Sequence, residues 1–182
     1  MNLKKCARLI CAALLAAVSG VAPAATVMLP DTSQTTTMTA TVSEQCSITV
    51  PANVGFTVND VSSNTDSSDQ EVTISTIVLA SATKQLKLSI QANTANFTPP
   101  GGSGTTWAAS NVSWNNGGTW TTGTGATGTL SDSSWNEVAT STAGETTLST
   151  TQLVFTLAAK SSVAKSGNHT LVCTWKVESI VA

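Results

Sequence analysis

The sequence is poor in charge and in aromatic side chains, and it has no tyrosine. Only 10% of its 182 residues are charged, and 4% are aromatic. Three of its eight cations, Lys4, Lys5 and Arg8, lie at the N-terminus, so residues 25–182 keep five lysines against ten acidic residues, a formal net charge of −5. Nucleic-acid binding requires clustered Lys and Arg against the phosphates. The composition therefore argues against a nucleic-acid partner.

Long apolar runs are missing apart from one near the N-terminus. "LICAALLAAV" (9–18) follows the basic residues and precedes Ala22-Pro23-Ala24, the small-x-small pattern of a cleavage site. The run is too short for a membrane span, which needs about 20 residues. We expect residues 1–24 to be a signal peptide, the rest to contain no transmembrane segment, and the protein to be secreted to the periplasm or the extracellular cell surface.

Cysteine is scarce once the predicted signal peptide is set aside. Cys6 and Cys11 belong to that peptide, which leaves Cys46 and Cys173. In an oxidising compartment a single pair is expected to form one disulfide. Metal binding by two thiols would need further ligands, and His169 is the only histidine in the sequence. We therefore predict a buried disulfide that joins the first and last strands.

Alternation of apolar and polar residues predicts β-strands along most of the chain. Residues 84–92 (KQLKLSIQA) place Leu, Leu, Ile and Ala on one face, with polar residues opposite. Similar patterns predict strands at 37–50, 54–58, 71–80, 110–114, 152–158 and 169–181, with both cysteines on inward faces. We predict an all-β fold, an immunoglobulin-like antiparallel β-sandwich of about seven or more strands with one disulfide. The sandwich spans 46–182 and follows an N-terminal extension, 25–45.

Four of the five tryptophans lie in a region rich in Gly, Ser, Thr and Asn, residues 99–147. They are Trp107, Trp114, Trp120 and Trp135. Exposed indole rings in hairpin loops could stack on sugars, whereas buried rings would fill the core. Both interpretations stay open for these four residues, while Trp175, in phase with Cys173, is predicted to lie in the core.

No motif predicts catalysis or a cofactor. "GTGATG" (123–128) matches the dinucleotide pattern G-x-G-x-x-G but lacks the preceding strand and following helix that such a site requires. The loop that holds Asp60, Asp66 and Asp69 offers oxygen ligands, yet its spacing is not that of an EF-hand. These three residues are weak calcium candidates, and a solvated loop is the expected interpretation. We expect no enzyme activity, no cofactor and no metal.

"TTTMTATVSEQCSITVP" (35–51) resembles the start of bacterial pilin-like subunits, the chaperone–usher fimbrial subunits and the related spore-coat-U-like secreted proteins. In those proteins a free alternating segment precedes a cysteine that begins the first domain strand. "KSGNHTLVCTWKV" (165–177) is similar to their last strand. The resemblance implies that the extension of one subunit fills a groove left by a missing strand in its neighbour. It implies Met38, Ala40 and Val42 as the inserted side chains.

Two functions follow as hypotheses. The first is a structural or adhesive subunit of a fimbrium, whose partners are further copies, other surface subunits and a periplasmic chaperone. The second is a self-contained sandwich that binds glycan or another surface ligand through the Trp-rich loops. A Cys46–Cys173 bridge between neighbouring first and last strands would leave no room there for an inserted strand. The disulfide and strand insertion are therefore competing expectations.

Overall fold

The computed structural model describes residue 29, residues 35–115 and residues 119–182. It divides the chain into two compact units, Met1–Ala40 and Thr41–Ala182. The predicted signal peptide, 1–24, lies outside the described residues, as do residues 25–28 and 30–34 of the predicted extension. In the first unit, residues 35–40 are exposed and contain neither helix nor strand. Within the described ranges, no helix has the length and apolar character needed to cross a membrane.

The unit Thr41–Ala182 is all-β. Its strands are β1 Gln45–Thr49, β2 Thr65–Asp66, β3 Gln70–Val78, β4 Lys84–Ala92, β5 Val112–Trp114, β6 Gly123–Gly125, β7 Gly128–Thr129, β8 Asn136–Ser141, β9 Leu148–Leu153, β10 Phe155–Leu157 and β11 Cys173–Val181, with single 3-10 turns at Pro100–Gly102 and Ala109–Asn111. They form three antiparallel sheets with the orders β1-β3-β9, β2-β10-β5-β7 and β11-β4-β8-β6. The prediction of an all-β, sandwich-like protein with antiparallel sheets is confirmed.

Strand β4 provides the centre of the core and has the predicted bounds, Lys84–Ala92. Its apolar face, Leu86, Leu88, Ile90 and Ala92, is at most 3% exposed. Strand β11 pairs with β4 along its whole length, from Cys173 opposite Ala92 to Val181 opposite Lys84. In β4 apolar and polar residues alternate, and successive side chains of a strand point to opposite faces. All four apolar side chains therefore reach the same buried face.

Strand β3 changes its buried face part-way along. Val72 and Ile74 are buried, and the next buried residue is Ile77, so the phase shifts by one residue. The register with β1 shifts at the same place, and Thr76 has a φ of 52°, in the left-handed region. An extra residue of this kind is a β-bulge. A strand at 71–80 is therefore predicted nearly correctly, but its bulge is not visible in a simple alternation.

Several of the predicted strands differ from the structure. The first begins only at Gln45, the last only at Cys173 and the one predicted at 110–114 only at Val112. Residues 54–58 pair with no other strand, and the strand predicted at 152–158 is interrupted between β9 and β10. All five residues of β1 are exposed, so the prediction that Cys46 faces inward is wrong. Cys46 is exposed because β1 lies at the edge of its sheet, where it pairs only with β3.

Trp114 fixes the packing of the second sheet. Its side chain is 1% exposed, and its ring meets the Phe155 ring edge-on, with centroids 6.2 Å apart. Gly128, in the neighbouring strand β7, lies against this indole so closely that an added Cβ would overlap the six-membered ring. The glycine is required here by close approach.

We expect Gly128→Ala to destabilise the protein, because a methyl group would displace a ring that is packed on all sides. Overpacking of this kind costs about 1–3 kcal/mol. The free energy of unfolding, measured by urea titration, should fall by that amount. The matched control is Gly55→Ala, since nothing lies within 4 Å of the Cβ at that position. Equal unfolding midpoints for the two variants would contradict the packing described for Trp114.

Candidate functional site

An open groove of about 870 Å³ lies beside the start of the last strand. One wall is the segment 51–58, which follows β1, and the other is formed by residues 163–175. Its floor is apolar and includes the core side chains Ile90, Phe155 and Leu157. The groove therefore gives solvent access to the interior of the sandwich, along a line where two backbone segments face each other.

The segment 51–58 has the side-chain pattern of a strand but no strand partner. Val54, Phe56 and Val58 are half-buried and pack against the core, while Gly55 and Thr57 between them are exposed. Within the described part of the chain, the backbone of residues 51–58 forms no hydrogen bond. The predicted alternation at 54–58 is thus present, whereas the predicted pairing is not.

Strand β11, whose first residues complete the opposite wall, is incompletely covered. It lies at the edge of its sheet, so half of its backbone N–H and C=O groups point away from β4. Cys173, Trp175 and Val177 pack against the core, yet no residue of β11 is fully buried. Trp175, predicted to lie in the core, lines the groove and stays half-buried. The edge of the third sheet therefore meets the groove at Cys173 and Trp175.

His169 ties two loops together at the rim of the groove. Its Nε2 lies 3.1 Å from the carbonyl oxygen of Lys165 and its Nδ1 lies 2.7 Å from the hydroxyl of Thr106. A carbonyl can only accept, so Nε2–H donates to it and the Thr106 hydroxyl donates to Nδ1. Lys165 Nζ donates to the backbone oxygen of Ser103, and the Trp107 and His169 rings meet at a near right angle with their centroids 5.2 Å apart. The single histidine thus has a positioning role.

Glu44 closes the opposite end of the sandwich. Its Oε1 accepts hydrogen bonds from the backbone N–H of Ala80, at 2.8 Å, and from the hydroxyl of Ser179, at 3.0 Å. These bonds connect the start of β1 to the β3–β4 turn and to the last residues of β11. They also hold the pKa of the Glu44 carboxyl below its usual value. We call this the Glu44 end, and the end that contains residues 51–58 and the start of β11 the groove end.

Cys46 and Cys173 are free thiols, and the predicted disulfide is not formed. The strand registers explain why. Cys46 is the second residue of β1, at the Glu44 end, whereas Cys173 pairs with Ala92, at the far end of the nine-residue strand β4. A strand of that length spans on the order of 25 Å, while a disulfide requires Cα atoms within about 7 Å. Each cysteine lies on a terminal strand, as predicted. The structure shows that they lie at opposite ends of the sandwich.

The donor-strand candidates are exposed. Met38 is 92% exposed and Val42 is 70% exposed, and Ala40 between them is also exposed. Residues 35–44 contain no helix or strand. Two large apolar side chains in phase and in solvent are unfavourable unless something covers them, since each buried Met or Val contributes about 1.5–3 kcal/mol. The alternation that predicts a strand from residue 37 is therefore present in residues 37–44, but these residues belong to no sheet.

Three of the four candidate tryptophans belong to the core. Trp107, Trp114 and Trp120 are at most 5% exposed, so none has a free face in this structure for stacking on a sugar. Trp135 is 38% exposed, and the Lys176 ammonium lies 4.8 Å from its ring centroid. The composition of 99–147 could not separate these roles, because the buried rings are covered by residues distant in sequence.

The aspartates proposed as calcium candidates do not converge. Asp60 accepts hydrogen bonds from the side chain and backbone of Ser62 and from the side chain of Ser63, which lower the pKa of its carboxyl. Asp66 accepts a bond from the Thr156 hydroxyl at 2.6 Å. Among the described residues, Asp69 included, no group of three or more His, Cys, Asp or Glu side chains could hold a metal ion.

We expect Glu44→Gln to destabilise the protein at neutral pH and to have no effect in acid. A carboxyl whose pKa is lowered on folding stabilises the folded state above its ordinary pKa of 4.5, and this contribution is lost as the pH falls through the lower folded value. The difference in urea midpoint between wild type and variant should therefore shrink at successive pH values below 4.5. Ser179→Ala, which removes one of the two donors, should show a smaller loss of the same sign. A difference that stays constant with pH would contradict the assignment.

Comparison with known proteins gives no family for this chain. No family model matches it, and no curated protein or solved structure matches it either. The function of the groove is therefore argued from the residues that form it.

Proposed function

We propose that this chain is a pilin-like structural subunit of the bacterial surface, which assembles when residues 35–42 of one copy insert as a strand into the groove of another. The observation that carries the proposal is the pair of open backbones on the two sides of the groove. Residues 51–58 form no backbone hydrogen bond within the described chain, and β11 has a free edge. A strand inserted between them could form hydrogen bonds with the unpaired backbone N–H and C=O groups of both walls, as in other cases of β-strand addition.

The sheet orders support an immunoglobulin-like arrangement for this proposal. In that fold one sheet contains strands A, B and E, and the other contains C, F and G. The order β1-β3-β9 matches A-B-E, and the adjacent strands β4 and β11 match C and F. Strand G would lie beside F, and the groove touches β11 at Cys173 and Trp175. This contact supports the inference that the groove takes the place of strand G.

Residues 35–42 have the chemistry of the missing strand. Met38, Ala40 and Val42 alternate with threonines, so a strand would turn all three toward an apolar floor and the threonines toward solvent. Burial of Met or Val contributes about 1.5–3 kcal/mol each, and each backbone hydrogen bond adds about 0.5–1.5 kcal/mol net.

The donor and the acceptor are expected to be different copies. Glu44 holds the start of β1 at the Glu44 end, whereas the groove opens at the groove end. Insertion would therefore join the Glu44 end of one copy to the groove end of the next.

The remaining parts of the proposal depend on the predicted signal peptide. Export would bring the subunit to the periplasm and then to the cell surface, where a fimbrium would be its final location. An apolar groove and an open edge promote aggregation before assembly, so a periplasmic chaperone that covers the groove is proposed as a transient partner. The proposed work is done by backbone pairing, with no chemical step.

Trp135 favours a second candidate function, glycan binding at the surface. Its partly exposed ring lies on the outer side of the β11-β4 sheet, next to Lys176, whose ammonium also contacts Glu178 at 2.9 Å. The Lys176 ammonium covers one face of the ring, so a sugar would stack on the other face. The site contains one exposed ring rather than the four suggested by the sequence.

We expect Val42→Asp to abolish assembly, because a carboxylate would have to enter the apolar groove unpaired. A ladder of multimers in unboiled detergent gels, and filaments in negative-stain electron microscopy of protein sheared from cells, should fall more than tenfold. Thr41→Asp is the matched control, since residue 41 is also exposed but alternates to the solvent side of the inserted strand.

Both variants should keep the urea midpoint of the wild-type monomer, because neither side chain is buried in the single copy. Equal loss of assembly in the two variants would contradict insertion in the proposed phase. A wild-type protein that remains monomeric, with no ladder and no filaments, would exclude polymerisation.

For the second candidate, Trp135→Ala should remove retention on a glycan array while leaving the unfolding midpoint within about 0.5 kcal/mol of wild type, as expected for a surface substitution. Trp120→Ala serves as the contrast, because loss of a buried indole costs about 3–5 kcal/mol and should reduce stability. Unchanged retention of the Trp135→Ala protein would remove this candidate.

A further inference from the structure

We propose that oxidation of the Met38 thioether to a sulfoxide switches strand insertion off in a free subunit, whereas an assembled subunit resists the same oxidant. This inference rests on the proposed function, since it concerns the segment that enters the groove. It adds regulation to that function, because the group that changes belongs to the donor and is accessible only before insertion.

Met38 is the oxidisable side chain of the donor segment. Residues 35–42 otherwise contain threonine, alanine and valine, whose side chains peroxides leave unchanged. In a single copy the Met38 side chain is 92% exposed, so its sulfur is open to a dissolved oxidant. Of the other two methionines, Met1 belongs to the predicted signal peptide and Met28 lies outside residues 35–42. Oxidation of the donor therefore means oxidation of one residue.

Insertion would turn Met38 toward the apolar floor of the groove. Along the wall, Leu171, Cys173 and Trp175 are half-buried and pack against the core, and the residues between them are exposed. Side chains that lie side by side on neighbouring strands point to the same face of a sheet. A donor strand next to this wall therefore points its apolar residues to the floor, in line with these three side chains. This holds for every register that keeps the apolar residues of the donor inward.

The floor is unsuited to a sulfoxide oxygen. It contains Ile90, Phe155 and Leu157, whose side chains have no hydrogen-bond donor. Trp107 also lines the groove, but its Nε1–H already donates to the carbonyl oxygen of Ala158 at 2.9 Å. A sulfoxide is polar, whereas the thioether that it replaces is apolar, and burial of an acceptor without a donor is unfavourable. The oxidised segment should therefore stay in solvent.

The oxidant in this proposal is hydrogen peroxide. The Met38 sulfur donates an electron pair to one peroxide oxygen, so an S–O bond forms and the O–O bond breaks. The departing hydroxide takes the proton of the transferred oxygen and leaves as water, so that sulfur loses two electrons and the peroxide gains them. Methionine sulfoxide reductases reverse the change, as two thiols become a disulfide and the oxygen leaves as water. The switch is therefore reversible.

Cys46 and Cys173 are competing targets of peroxide, since both are free thiols. Burial raises the pKa of each thiol, which lowers the fraction of reactive thiolate at neutral pH. Sulfenic acids and disulfides formed at these residues are reduced by dithiothreitol, whereas a methionine sulfoxide persists until a sulfoxide reductase acts on it. Treatment with dithiothreitol after the peroxide therefore separates the effect of Met38 from that of the cysteines.

The test uses processed protein secreted from cells that express the full chain, as wild type, Met38→Leu and Met28→Leu. Multimers are dissociated in urea, and the monomers recovered after its removal are treated with hydrogen peroxide and then with dithiothreitol. The ladder that they form on concentration is measured in unboiled detergent gels. We expect the ladders of wild type and Met28→Leu to fall more than tenfold. That of Met38→Leu should not change, because leucine is apolar, similar in size and not oxidised.

Two further measurements use the wild type. Reduction of the treated monomers by the two sulfoxide reductases, one for each epimer, should restore the ladder. Mass spectrometry of the peptide that contains Met38 should show its sulfoxide forming more than tenfold more slowly in multimers than in monomers. Equal rates in the two states would overturn the inference, because the donor would then stay exposed after assembly.

Two other results would also overturn it. They are equal losses of the ladder in wild type and Met38→Leu, and a wild-type ladder that peroxide leaves unchanged although Met38 is oxidised. If Met38→Leu alone fails to assemble, the reductases decide, since a wild-type ladder that they do not restore rejects the switch. Untreated protein separates this inference from the proposed function, because its ladder depends only on strand insertion. No ladder in any untreated protein would reject strand insertion, and the switch with it.

Discussion

The structure depends on one constraint, that buried backbone N–H and C=O groups must be paired. The eleven strands of Thr41–Ala182 meet it by pairing with a neighbour in one of the three antiparallel sheets. The segment 51–58 forms no such pair, and its partly exposed backbone is left to solvent. The side chains of Val54, Phe56 and Val58 attach the segment to the core, at the groove that the start of β11 also lines. The open groove is the direct result.

The rest of the sandwich keeps this groove open. Strand β4 anchors β11 along its full length, so the last strand cannot move across to pair with 51–58. The hydrogen bonds of Glu44 fix one end of the first strand, and those of His169 join the two loops at the rim. Core formation and groove formation are therefore separate, because the core residues of β4 are buried without any contribution from an added strand.

The sequence predicts local structure well where a strand is central and poorly where it lies at an edge. The bounds and buried face of β4 follow from strict alternation, since both neighbours require the same inward residues. At 54–58 and in β1 the alternation is just as clear, but pairing and burial depend on whether a neighbour exists, which the residues themselves do not encode. The cysteines show the same limit. The alternation of apolar and polar residues predicts that both lie on strands, but only the pairing of the strands shows that they lie at opposite ends of the sandwich. Three of the tryptophans were ambiguous for the related reason that burial is decided by distant residues.

The location of the groove and of Glu44 at opposite ends has a consequence for size. A contact between two different surfaces repeats without closing unless the rotation between copies brings the chain back on itself. Each added copy would cover one groove and present a new one, so nothing in the subunit would set a final length. Such an assembly has two unlike tips, and growth and termination would have to be controlled at each tip by a different partner.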